Sequence, residues 1–197
     1  MGARISTGKN NKQDYATPAD FMAAVTVRFG PIAFDLAAHA GNAKSPNYFA
    51  PVTGPEGPLP RDPKAFGMDA FDNSWSHLSS SRFCNMGRKG LLWLNCEFND
   101  IPRWTKRVME ESGKGANILS LTPASVGSVW FDELVAPFAN VYLLRPRISF
   151  IPGEPYNKDC MLAHFVSPSD RDSGFPFICT WNWKKDEITH LWKPSAS

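Results

Sequence analysis

Short apolar bursts alternate with helix-shaped stretches along most of this chain, and that alternation narrows the folds open to it more than any other feature. The first pair is the sharpest. Thr17 is a fitting N-cap, Pro18 suits the first helical position, and residues 19–29 carry apolar side chains at Phe21, Ala23, Ala24 and Val25. Gly30 supplies a left-handed stop, and residues 32–36 read as a buried strand with Asp35 near its end. The pattern repeats with apolar runs at 91–94, 116–121 and 140–144 and helical stretches at 104–111 and 129–138. Beyond Arg147 only short extended pieces remain, at 148–151, 161–166 and 175–181. This order predicts an α/β fold with a mostly parallel sheet and an antiparallel C-terminal hairpin.

The 197 residues suit one domain. Residues 1–14 are polar and read as a flexible lead-in, 15–166 as the α/β domain, and 167–197 as an extension packed on it. Residues 40–66 hold Pro46, Pro51, Pro55, Pro58, Pro60 and Pro63, a loop long enough to suggest a functional role. No apolar run approaches the ~20 residues of a membrane span, and the N-terminus lacks a secretory pattern. Lys and Arg number 21 against 19 Asp and Glu, a net charge of +2, so any nucleic-acid contact has to come from a local patch. Cys84, Cys96, Cys160 and Cys179 form no Cys-x-x-Cys pair, and His39, His77, His164 and His190 no His-x-x-x-His run. No metal site is expected, and reduced thiols in a cytoplasm are.

In an open parallel sheet, ligands sit beyond the carboxyl ends of the strands. Two predicted strands end in polar clusters, Asp35-Leu36-Ala37-Ala38 and Asn95-Cys96-Glu97-Phe98, and Asp69 stands ready to join them. No Gly-x-Gly-x-x-Gly or Gly-Lys-Ser/Thr loop is present to cradle phosphates. Small Ala37 and Ala38 beside an acidic strand end suit a ligand without phosphates, such as S-adenosylmethionine. The second cluster has what amine methylation of a base requires. The exocyclic amine of adenine shares its lone pair with the ring. An Asn95 side-chain oxygen and the Cys96 backbone carbonyl could accept its two hydrogens and turn that lone pair outward. Phe98 could stack on a base that has left the helix. Cys96 as a nucleophile has no nearby His, and a loop carboxylate such as Glu97 ordinarily faces solvent. Arg145 and Arg147 flank Pro146 and could clamp phosphate, while Lys184 and Lys185 follow Trp181 and Trp183 as on a strand-binding surface.

From about Tyr15 to Val166 the sequence resembles the phage-encoded DNA adenine-N6 methyltransferases of Dam type. The likeness rests on Ala16-Thr17-Pro18, Phe34-Asp35-Leu36-Ala37-Ala38 with Asn42-Ala43-Lys44, and Asp69-Ala70-Phe71 before Trp75. It continues through Trp93-Leu94-Asn95, Ile101, Trp104 and Arg147-Ile148-Ser149-Phe150. The resemblance implies a Rossmann-like S-adenosylmethionine-dependent methyltransferase fold acting on double-stranded DNA in a bacterial host. By the same likeness Thr17, Pro18, Asp35, Ala37 and Asp69 would border the cofactor, and Asn95 to Phe98 the target base. The family's loop reads Asn or Asp, Pro, Pro, Tyr or Phe, whereas this chain has Asn95-Cys96-Glu97-Phe98. Losing both prolines should loosen the loop unless packing compensates. The departure leaves room for an alternative: a non-catalytic or altered-substrate DNA-binding protein on a methyltransferase scaffold.

Overall fold

The computed structural model describes residues 16–51, 53–54, 57–58, 62–67, 69–79 and 90–193. The expected flexible lead-in at 1–14 and Cys84 lie outside the described residues. Among the described residues three α-helices, α1 (Ala19–Phe29), α2 (Ile101–Gly113) and α3 (Val129–Leu134), accompany nine strands. The strands are β1 (Ile32–Asp35), β2 (Thr53–Gly54), β3 (Gly57–Pro58), β4 (Leu91–Leu94), β5 (Asn117–Pro123), β6 (Asn140–Arg145), β7 (Cys160–Phe165), β8 (Ile178–Asn182) and β9 (Glu187–Trp192). All but the small β2–β3 pair join one seven-stranded sheet in the order β1-β4-β5-β7-β6-β8-β9.

The α/β expectation holds, and β8–β9 form the antiparallel terminal hairpin. The sheet is mixed. Parallel pairing joins β1 to β4, β4 to β5 and β6 to β8, but β7 inserts antiparallel between β5 and β6. No helix stands between β6 and β7 in the element order, and a parallel return would need such a crossover. The result is a mixed sheet in which β1, β4, β5, β6 and β8 share one direction. Their carboxyl ends form a single rim.

Two isolated parallel bridges extend the sheet past β1: Asp35 pairs with Tyr48, and Phe49 with Gly67. The lateral sequence therefore runs Gly67, Phe49, β1, β4, β5. That matches the 3-2-1-4-5 order of doubly wound sheets, with two strands reduced to single bridges. The chain changes direction of winding between β1 and β4, which is where such sheets open a crevice for ligands.

Strand alternation sends side chains to opposite layers. Leu91, Trp93, Leu119 and Leu121 pack with Phe21 and Val25 of α1, while Leu92, Leu94 and Ile118 pack with Val108 of α2 and Phe131 of α3. Helix α1 keeps the expected span and its Gly30 terminator, at φ 96° with its N–H on the Thr26 carbonyl. Its start differs: Pro18 occupies the N-cap position and no side chain caps the helix. Helix α2 begins before residue 104 because Pro102 is compatible with a first turn. Helix α3 stops at Leu134, short of residue 138, since Pro137 cannot donate and disfavours helix in the residue before it. Among the described residues no helix is long and apolar enough to cross a membrane.

Candidate active site

Asp35 closes β1 as an organiser of the following loop. It is 2 % exposed, and its carboxylate accepts the backbone N–H of Ala37 at 3.2 Å and of Lys44 at 2.9 Å. Burial raises its pKa from 3.8 to about 6, against the lowering effect of those two amides and the Lys44 charge. Burial likewise lowers the Lys44 pKa, opposed by the Asp35 charge.

The rest of the loop is closed by its own bonds. The Ala38 N–H donates to Phe49 O, His39 N–H to Asn42 Oδ1, and Gly41 N–H to His39 Nδ1. The amides of Asn42 and Ala43 both donate to His39 O. Amides engaged in this way are not available to cradle an anion.

The second cluster follows β4 on the same rim. Asn95 is half-buried, and its Nδ2 donates to the Thr17 hydroxyl at 3.1 Å. Thr17 is 3 % exposed. This contact explains why Thr17 does not cap α1: its hydroxyl is engaged across the crevice instead. The structure thus joins two residues that stand far apart in the sequence. The bond ties the Asn95 carboxamide to the residue that leads into α1.

Cys96 turns into the core beneath the loop, where burial pushes its thiol up to about 12. A thiol held neutral in this way is no nucleophile at neutral pH. Its packing also anchors the segment that two prolines would otherwise stiffen. The Asp100 N–H donates to the Glu97 carbonyl at 3.3 Å and leads the chain into α2. The Glu97 side chain is exposed, and Pro18 and Ala37 are half-buried.

Phe98 is half-buried, and its ring lies 6.1 Å from that of Tyr156, which meets Phe150 edge-on at 5.3 Å. Sequence reasoning marked Phe150 and missed Tyr156. The signal was Pro152-Gly153, which folds the segment back: Gly153 has φ 81° and the Glu154 N–H donates to Ile151 O. The Tyr156 N–H closes the same turn on Ile148 O at 2.8 Å.

Asp69 is exposed and caps a single 3-10 turn, its Oδ1 accepting the Phe71 N–H at 2.8 Å. Its position follows Gly67, the outermost bridge on the β1 side of the sheet.

The four basic candidates gather farther along the rim. The Trp183 N–H donates to Arg145 O, and its indole N–H donates to Pro146 O at 2.7 Å. These bonds dock the β8–β9 turn, with exposed Lys184 and Lys185, against exposed Arg145. Lys184 stands over the Trp183 ring at 4.9 Å. Arg147 is less available, because its Nε donates to Asp159 at 2.7 Å. With strands spaced ~4.8 Å apart, β4 and β6 stand about 14 Å apart across the sheet. Asn95 and the basic patch therefore share one surface without touching. Among the described residues no three His, Cys, Asp or Glu side chains are grouped to hold a metal ion.

No protein-family model matches the chain, and no curated protein matches it either.

Proposed function

We propose that this chain transfers a methyl group to the exocyclic N6 of an adenine that has left the helix of double-stranded DNA, with S-adenosylmethionine as donor. The observation that carries the reading is the Asn95–Thr17 hydrogen bond at the crevice between β1 and β4. It holds the Asn95 carboxamide near the end of β4, where a doubly wound sheet would bind its ligand.

The residues fit the donor's chemistry. The inward-turned amides after Asp35 suit a ligand that brings no phosphate. Thr17, Pro18, Ala37 and Asp69 would border the cofactor, and Asp35 would act through the loop it shapes. S-adenosylmethionine supplies an electrophilic methyl carbon. The protein's part is orientation. Asn95 Oδ1 and the Cys96 carbonyl accept the two amine hydrogens, so the nitrogen lone pair points out of the base plane. Phe98 stacks on the base and offsets part of the few kcal/mol of unstacking. The patch of Arg145, Lys184 and Lys185 holds the phosphate backbone, with Arg147 joining if DNA displaces Asp159.

The resemblance to phage adenine methyltransferases adds a setting: a modification enzyme in the bacterial cytoplasm that protects phage DNA from restriction. One observation favours a second reading, a DNA-binding protein on the same scaffold without methyl transfer. Glu97 is exposed beside Asn95, where a polyanion would approach. Mass analysis of nucleosides from cells expressing the chain, in a host without adenine methylation, separates the two. N6-methyladenine supports methyl transfer. Unmodified DNA supports the second reading, and a different modified nucleoside changes the substrate.

A further inference from the structure

The two edges of the large sheet are finished differently. Beyond β1, the bridges at Tyr48 and Gly67 cover the edge. Strand β9 is the other edge, and among the described residues no strand pairs with its outer side. Its six residues include neither a lysine nor a proline. Leu191 and Trp192 are 58 % and 51 % exposed. A local irregularity opposite the step from Ile178 to Cys179 leaves Leu191 as an extra residue in β9, a bulge that gives this edge partial protection.

We propose that β9 is the pairing surface for a second copy of this chain, in an antiparallel register centred on His190. The charges select that register. Centred on His190, Glu187 of each copy stands opposite Lys193 of the other, giving two symmetry-related opposite-charge pairs. The same register sets exposed Trp192 against half-buried Ile188 and exposed Leu191 against Thr189. Shifting the centre to Thr189 would oppose Lys193 to Lys185 and Glu187 to Leu191, losing both charge pairs. The interface is small, so association depends on protein concentration.

The two-fold axis has a consequence for the rim. Pairing β9 antiparallel to itself turns the second sheet upside down, so the two carboxyl rims point in opposite directions. Each copy then presents its own crevice separately, and per-chain activity is independent of dimer formation.

Sedimentation velocity over a concentration series tests the pairing with three variants: Glu187→Lys, Lys193→Glu and the double swap. Both side chains are exposed, so circular dichroism and thermal melts should match those of the wild type. The expected result is a wild-type monomer–dimer equilibrium, weakened roughly tenfold or more by either single swap and restored by the double swap. Hydrogen exchange at residues 187–192 should slow as concentration rises. A chain that stays monomeric throughout overturns the proposal. So does a dimer indifferent to all three variants, which would use another surface.

Discussion

Asp35→Asn should abolish a loss of stability that the wild type suffers as pH rises, and the size of that loss follows from the burial of the carboxyl. An ordinary aspartate titrates near 3.8, whereas Asp35 in the folded chain titrates near 6 because burial disfavours its charge. The folded state therefore holds the proton more tightly than the unfolded chain does. The resulting stabilisation is complete below pH ~4 and is lost as pH rises through about 6. A displacement of about 2 pKa units at ~1.4 kcal/mol each amounts to about 3 kcal/mol. Both amides donate to Asp35, and an asparagine has one acceptor oxygen for the two, so the variant carries a pH-independent deficit that drops out when the change of the gap with pH is followed. Above pH 6 the wild type ionises and the variant does not. Urea unfolding followed by tryptophan fluorescence, run on both proteins from pH 4 to pH 8, gives the difference directly. Other titrating groups cancel in it. The wild type should lose as much as about 3 kcal/mol relative to the variant across that range. A constant gap, or one that widens against the variant, would refute the reasoning.

Other residues make separate predictions. Glu111 is 0 % exposed, binds Arg107 and Lys114, and accepts the Trp75 N–H at 2.7 Å, so Glu111→Ala should destabilise by roughly 3–5 kcal/mol in the same unfolding assay. Burial raises the Glu111 pKa, but the Lys114 and Trp75 hydrogen bonds and the Arg107 and Lys114 charges outweigh it and hold the group below its usual value. Its stabilisation is thus lost as pH falls through the depressed pKa, opposite in sign to Asp35, and Glu111→Gln should flatten that acid limb. Cys96, Cys160 and Cys179 are buried with thiols pushed up to about 12, so iodoacetamide should label them only after denaturation, read by peptide mass. If Lys184 and Lys185 contact phosphates, each alanine variant should lower the slope of log affinity against log salt by about one, in fluorescence-anisotropy titrations with duplex DNA.

Much of the frame was legible because local chemistry wrote it. Pro18 and Gly30 bracket α1, and the apolar runs mark the strands of the rim. What stayed hidden depended on pairing between distant segments. Nothing local distinguishes a β7 that inserts between β5 and β6 from one that adds at an edge. Thr17 has the right chemistry for an N-cap, yet its hydroxyl meets Asn95, a partner that only the folded sheet brings near. Both Asp35 oxygens accept amides of its own loop, a pairing that its position at a strand end does not reveal. The Cys96-Glu97 departure suggested a loosened loop. The burial of Cys96 supplies an anchor that sequence spacing does not reveal. The grouping of Lys184 with Arg145 likewise depends on Trp183 bonding across to Arg145 and Pro146.

Single-turnover transfer of labelled methyl groups from S-adenosylmethionine to duplex DNA, compared between wild type, Thr17→Val and Asn95→Ala, tests the central claim most directly. The account predicts N6-methyladenine from the wild type. Asn95→Ala should lose ~10²-fold or more in rate, and Thr17→Val should lose a smaller factor through misdirection of the carboxamide. Absence of product from the folded wild type, or an Asn95→Ala rate within about threefold of it, would contradict the account.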